Sequence, residues 1–428
     1  MADRVTYKGT KLFVNGSPIH RVTAFGSTTS LNKEDMLEIG NTGIVEVFED
    51  IPSIDISMDS NEVASMNTLN FLAGKQKTNT KIDFEKNLDN ARCNVWATVD
   101  PNDGSGKSWT KYIEDAYMTN ASYQFSVDGN FTENYSLVSD NSRWLLNGAE
   151  HIASRSGTVD ALNDSGVDLE FNHVVTKVLT VYLNGERISS EDYTFNIVDG
   201  IGTSPYLVEI LITKPDSVKI GDTIKVYVGV SNPNKLNESN PAQCEIWVAD
   251  TVHPGAVRSG HAKFYIVDHK KEGNLRLITL EKAQSAGVDV SLDREELKQL
   301  GSDKVYARPL NIPLSLDVSL DITHADLAFF AMLCGKDIEN VEDVKELNVR
   351  DLSNDLGLLV EVYKDGEHER EKETDTPEPN KIFYIEKLIS TDEGFNINTD
   401  SNAAQTFSFR ARNLVVGKTR VDVGFDSE

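Results

Sequence analysis

Residues Tyr112–Asn141 read YIEDAYMTNASYQFSVDGNFTENYSLVSDN, and residues Tyr384–Asn413 read YIEKLISTDEGFNINTDSNAAQTFSFRARN. The two stretches align without a gap at a constant offset of 272, with eight identities in thirty pairs. Tyr123, Tyr135 and Leu137 are answered by Phe395, Phe407 and Phe409, so the apolar alternation repeats as well. A period of two is the mark of a half-buried strand. Asp128-Gly129 in one stretch and Asp400-Ser401 in the other supply the turn of a hairpin. The pair is read as two copies of one antiparallel strand pair.

The repeat extends upstream. Ser30–Gly40 matches Ser291–Gly301 at an offset of 261, Ile54–Asp59 matches Leu316–Asp321 one residue further on, and Leu72–Lys75 matches Leu333–Lys336. Order, spacing and pattern point to a chain carrying two copies of one domain. Within each copy, Ser30 and Ser291 are expected to cap a short acidic helix that Gly40 and Gly301 end. Ile54-x-Ile-x-Met and Leu316-x-Val-x-Leu alternate as strands. A helix is expected over Val63–Leu72 and Ala325–Leu333, where Met66 and Leu69 are matched by Leu327 and Phe330. Polar excursions follow at Gln76–Asn90 and Asp337–Asp355, and further loops at Asp100–Ser108 and Lys364–Asn380. Loops of that length are usually functional or disordered.

The middle of the chain does not repeat. Val178–Leu183, then Asn184-Gly185, then Tyr193–Ile197 read as strands around a hairpin turn, because both turn residues tolerate positive φ. Val208, Ile210 and Ile212 alternate, as do Ile224, Val226 and Val228. Several short strands with turns between them predict a small Ig-like β-sandwich inserted between the copies. Ser154–Ser165 and Ser231–Pro241 read as its linkers. The expected fold is mainly β: a first repeated domain over 1–154, the insert over 155–235 and the second copy over 236–428, each copy a β-sandwich or barrel with a flanking helix.

Composition narrows the function. Apolar residues make up 39% and charged residues 26% of the chain, an ordinary globular balance. The longest apolar runs, such as Leu327–Cys334, fall far short of the ~20 residues a membrane span needs. The first residues are polar, so a soluble protein without a secretory signal and without a membrane partner is expected. Sixty-eight acids against 42 bases give a net charge of −26, which repels nucleic acid and anionic lipid. Cys93, Cys244 and Cys334 lie far apart, which argues against a disulfide framework or a zinc knuckle.

Catalytic and ligand motifs are incomplete. Asp103-Gly-Ser-Gly-Lys-Ser108 looks like half a phosphate-binding loop, but Pro101 stands where the first glycine is needed. Asp100-x-Asn102-Asp103-Gly104 resembles a calcium loop with its glycine one place early and no closing glutamate. The eight histidines form no metal or triad spacing, and the equivalent Asp55 and Asp317 are explained by the repeat without catalysis. No enzyme activity, metal or cofactor is expected.

The segment Val45–Ser57, with Ile51-Pro52-Ser53, resembles the first half of a phage tail tube subunit, and Asn120–Asn130 with Glu133–Leu137 resembles its closing hairpin. That resemblance implies β-sandwiches with a flanking helix whose inner strands join into one barrel around a channel. The repeat is similar to the variant in which three chains, each with two tube domains, form a pseudo-hexameric ring that stacks on others. The insert, with Leu183–Arg187 and Asp192–Phe195, is similar to decorations on phage structural proteins. By resemblance, Ile39–Asp50 and Leu300–Leu310 would form arms reaching a neighbouring subunit or ring, with Val45, Val47, Phe48, Val305 and Tyr306 as apolar contacts.

The expectation is a structural virion protein, in the tail and assembled in the host cytoplasm, that self-assembles into the tail tube. Its partners would be itself, tape measure protein, tail tip or baseplate proteins and the tail terminator. Double-stranded DNA would pass through a negatively charged lumen during ejection without specific binding. The alternative is a receptor-binding or adhesin-type virion component whose inserted β-sandwich is the binding module.

Overall fold

The structure, a computed structural model, describes residues 10–31, 33–37, 44–99, 108–146, 149, 151–160, 166–171, 174–198, 206–213, 218–230, 257, 261–268, 276–280, 283–298, 305–323, 330–331, 333–334, 346, 356–363, 378–396 and 404–425. The fold is mainly β, as expected, and its described strand pairings are antiparallel. The chain divides into two compact units that are not contiguous in sequence: Met1–Ile19, Asn94–Glu114 and Ser142–Thr251 in one, His20–Cys93, Asp115–Asn141 and Val252–Glu428 in the other.

The first unit contains the inserted sandwich. One of its sheets orders His151–Thr158, Thr223–Val230, Val175–Leu183 and Glu186–Arg187; the other orders Gly166–Phe171, Tyr206–Ile212 and Tyr193–Val198. Val181, Val208, Ile224, Val226 and Val228 form the centre of the apolar layer between them. Asn184 and Gly185 take φ of 51° and 86°, the positive values that the hairpin turn requires. Ser154–Thr158 is part of a strand and not a linker, paired through Ser154↔Tyr227 and Thr158↔Thr223. Its Ser/Gly/Thr composition hides it, because the partner strand supplies the apolar side chains. The linker expected at 231–241 lies outside the described residues.

The sandwich is also packed within its own unit. Tyr182, Tyr227 and Leu179 join Phe13, Trp96, Tyr112, Leu145 and Ile152 in one buried cluster, with Phe13 and Trp96 stacked at 5.6 Å. Beside it, fully buried Glu114 accepts from Thr180 Oγ1 at 3.0 Å and pairs with Arg143 and Arg187. Tyr182 Oη donates to Asn94 Oδ1 at 3.0 Å. A buried carboxylate with this many donors is held in place by the charge-assisted bonds that solvate it.

The second unit is two layers. Its larger sheet uses eight strands: β1 (Val22–Ser30), β2 (Ser53–Ser60), β3 (Trp109–Ser126, of which the part from Asp115 belongs to this unit), β4 (Thr132–Ser139), β5 (Ala283–Ser291), β6 (Ser315–Thr323), β7 (Lys381–Asn396) and β8 (Ala404–Ala411). The spatial order is β1-β2-β4-β3-β5-β6-β8-β7. Ile54, Met58, Tyr123, Tyr135, Val288, Val318 and Phe407 all point to the buried side. There they meet the second sheet, built from Ala262–Asp268, Arg276–Thr279, Leu356–Val362, the first half of β7, Asn413–Gly417 and Lys81–Asp83. Phe383 lies 4.7 Å from Tyr123 and 5.5 Å from Phe125, ring centroid to centroid.

Two expectations are corrected. The acidic segments after Ser30 and Ser291 are not helices: Lys33–Leu37 pairs with Ile44–Glu49, and Leu297–Lys298 with Val305–Ala307. A helix of two or three turns is marginal without an apolar stripe to bury, while the β-branched segment Ile44–Glu49 offers a ready backbone partner. The excursion Gln76–Asn90 is not a plain loop either. It holds strand Lys81–Asp83 and a turn of helix, Phe84–Asn87, capped by Asp83 accepting from Lys86 N at 3.3 Å. The expected helix after β2 is present but shorter, Asn67–Leu72, with Leu69 and Leu72 buried. Its expected counterpart over 325–333 is described only at 330–331 and 333. The excursion over 337–355 lies almost wholly outside the described residues, as do 100–107 and 364–377.

Trp96→Ala removes the centre of the aromatic cluster and is expected to cost about 3–5 kcal/mol. Chemical denaturation followed by far-ultraviolet circular dichroism checks it.

Candidate assembly surface

The outward face of the eight-stranded sheet follows from its register, since directly opposed residues share a face. In the first half Thr28, Asp55 and Val138 form one outward row, and Gly26, Ser57 and Ser136 the next. Across the centre Ser122, Asp289, Asp317 and Arg410 form one row, and Gln124, Gly287, Ser319, Ser408 and Asp392 another. The side chains are almost all small and polar. Within the paired rows of this face six aspartates (Asp55, Asp59, Asp289, Asp317, Asp321 and Asp392) meet one cation, Arg410. Asp289 and Asp317 oppose each other directly. Like charges in that position destabilise a sheet by a few tenths to ~1 kcal/mol, so the face is not arranged for stability alone.

Asp55 and Asp317, equivalent in the repeat, are four strand spacings apart. At ~4.8 Å per spacing they are at least about 19 Å from each other, too far to act as paired carboxylates on one bond. Among the described residues no cluster of His, Cys, Asp and Glu could hold a metal ion.

The middle of this sheet is a seam between β3 and β5. It runs from Ser126↔Ser285 to Asn120↔Ser291, with Asn120 Nδ2 donating to Asp289 Oδ1 at 2.8 Å. Arg294 rivets it. Its guanidinium donates to four backbone carbonyls, of Leu88, Asp89, Met118 and Arg308, at 2.6 to 2.8 Å, and stacks over Tyr117 at 5.3 Å. Burial pushes its pKa down, to about 10.

On either side of the seam the pairings correspond residue for residue. Ser30↔Ser53 is answered by Ser291↔Ser315, and Glu133↔Ser60 by Gln405↔Ile322. The register shifts fall at equivalent places too: between Val22 and Ala24 as between Ala283 and Ser285, and opposite Ser136/Leu137 as between Ser390 and Asp392. Asp115 and Lys387 both take positive φ, 46° and 53°, at equivalent positions in the long strands β3 and β7. Beyond the two halves lie edges. Among the described residues β1 pairs only with β2, and the last half of β7 only with β8.

The two layers are tied by a buried ion pair. Lys381 Nζ lies 3.0 Å from Glu133 Oε2, both side chains fully buried. Tyr135 Oη donates to the same oxygen at 3.0 Å, and the ammonium sits over the rings of Tyr123 and Phe383. Burial raises the Glu133 pKa against the pull of Lys381. Nearby Glu62, also buried, is pushed up to about 7, first by desolvation and then by the Glu133 charge.

Of the contact residues expected from the sequence, Val47 is 45% and Tyr306 60% exposed, and Val305 is half-buried. Val45 and Phe48 lie in the strand Ile44–Glu49, their side chains outside the described residues. Leu31, Met36 and Ile44 are exposed on or beside the same hairpin. A two-stranded hairpin alone is marginal in water. Sequence reasoning passes over β1 and Phe395 as an edge contact. The signal that could have found β1 is Gly26, which matches Gly287 at the same offset of 261 as the segments that follow. An added Cβ would fall 2.7 Å from Ser57 Oγ at one and 2.6 Å from Ser319 Oγ at the other, so both positions favour glycine.

No protein-family model matches this chain, and no curated protein sequence does.

Glu62 is protonated in the folded unit at pH values where its unfolded pKa of 4.5 would leave it ionised. Its contribution to stability is fully present below about 4.5 and is lost as pH rises through about 7. The loss is on the order of 3 kcal/mol. Glu62→Gln should flatten that part of the stability–pH curve in urea titrations at pH 5 and pH 8. Arg294→Ala strands four carbonyls and should destabilise the second unit by about 3 kcal/mol or more, read in the same titration.

Proposed function

We propose that this chain is a structural protein that self-assembles into a tube, the tail tube of a long-tailed phage. The observation that supports this most is the eight-stranded sheet, apolar on one side, acidic and small-chained on the other, and unpaired at both edges among the described residues. An unpaired edge is a template for another strand, and closing a sheet on itself removes the hazard. Copies placed side by side by one rotation form a ring. Three copies, the number the tail tube resemblance implies, would contribute about 24 strands. With ~4.8 Å between strands and a tilt of ~40°, the backbone diameter is about 45–50 Å, wider than a DNA duplex.

The acidic face then lines the bore. A wall rich in carboxylates and hydroxyls repels phosphates, so DNA passes without being held. The strand pairs Lys33–Leu37 with Ile44–Glu49 and Leu297–Lys298 with Val305–Ala307 are the proposed contacts between rings. In this reading the partners are other copies, the tape measure, the tail tip or baseplate and the terminator, in the virion.

Negative-stain electron microscopy across a concentration series, with solution mass alongside, tests the reading. Stacked rings or hollow tubes are expected from the wild-type chain. Phe395→Lys, at a 52% exposed edge position, should abolish them while leaving fold stability within about 0.5 kcal/mol. A wild-type chain that stays monomeric even with tail-tip seeds would overturn the tube. Replacing Asp55, Asp289 and Asp317 by lysine should make assembled tubes retain duplex DNA at low salt in a filter-binding assay.

A further inference from the structure

The seam inside the chain carries information about the contact outside it. β3 and β7 correspond at an offset of 272, bulge included, and β1 and β5 correspond at 261, bulge included. The chain therefore already shows how a β7-type edge meets a β1-type edge: it is the pairing of β3 with β5. We infer that the last half of β7 pairs antiparallel with β1 of a second copy in the register of that seam. The inference rests on the tube reading and deepens it by naming the partner strand and its alignment.

Transferring the seam gives the pairs directly. Asn120↔Ser291 becomes Asp392↔Ser30, Tyr123↔Val288 becomes Phe395↔Ser27, and Gln124↔Gly287 becomes Asn396↔Gly26. The chemistry agrees at each end. Gly26 keeps the close approach that Gly287 shows in the seam. The carboxylate of Asp392 comes beside the hydroxyls of Ser30 and Thr28, where the seam sets Asn120 beside Ser291 and Asp289.

Burial makes the same point independently. Tyr123 is fully buried in a strand that β5 follows, whereas Phe395, its counterpart, is 52% exposed at an edge with nothing after it among the described residues. Ser27 Oγ is buried without a hydrogen-bond partner among the described residues, on the strand that the second copy would approach. A slip of one residue would set Phe395 against the acidic face of the second copy, so the register is strongly specified.

Paired cysteines test the alignment. Directly opposed residues on neighbouring strands lie within disulfide reach, whereas residues four positions off do not. Ser30→Cys with Asp392→Cys, oxidised after assembly, is expected to give a ladder of covalently linked chains on a non-reducing gel. Ser30→Cys with Asn396→Cys, shifted by four, is expected to lose it, and each single variant reports the background from native thiols. Thr29→Cys with Glu393→Cys is a second in-register pair, on the opposite face, should the first disturb assembly. Tubes that form in both in-register variants without linking, or that link equally in the shifted pair, overturn the register and leave the tube standing. Failure of the wild-type chain to assemble at all overturns both.

Discussion

The pairing of β3 with β5 is the constraint on which the second unit depends. Without it the unit would be two four-stranded sheets, each with an additional bare edge. With it there is a single sheet wide enough to cover the apolar side chains of the layer behind. Arg294 is placed to hold that pairing, since it reaches backbone carbonyls from three separate stretches of chain. The buried Lys381–Glu133 pair acts in the other direction, fixing one layer over the other. A buried pair contributes little net stability, because desolvation offsets attraction, but it strongly penalises any arrangement that separates the partners.

Much of this fold is legible in the amino-acid sequence. The repeat at offsets of 261 and 272, the strand pairs β3/β4 and β7/β8, and the Asn184-Gly185 hairpin are written in local patterns. What escapes a local pattern is decided elsewhere in the chain. Lys33–Leu37 has the composition of an acidic helix start and becomes a strand only because Ile44–Glu49 is at hand to pair with it. β1 carries Ser, Thr and Gly with little alternation, and its place follows from pairing with β2 and not from its own propensity. The role of Arg294 is hidden for the same reason: its acceptors are carbonyls, which no side-chain pattern records.

The candidate surface divides similarly. Net acidity is plain from composition, but which acids matter requires the register, since Asp55, Asp289 and Asp317 share one face only once the strands are aligned. Composition sums the charge of a protein; a sheet sorts that charge by side. Here the sorting leaves, within the paired rows, six carboxylates and one guanidinium among side chains that are largely hydroxyls, amides and glycines. Exposed charges within a Debye length of ~8 Å at physiological salt still act on any charged group close to such a face.

The Asn184-Gly185 turn has a practical consequence. Asn184 donates to Asp222 and accepts from the Thr223 amide, so the turn is pinned from below. A Cβ at Gly185 would meet nothing within 4 Å. Foreign sequence spliced in after Gly185 would leave the buried apolar layer of the sandwich untouched. In the proposed assembly each copy would then carry one graft, and the tube would be a scaffold for regularly spaced cargo.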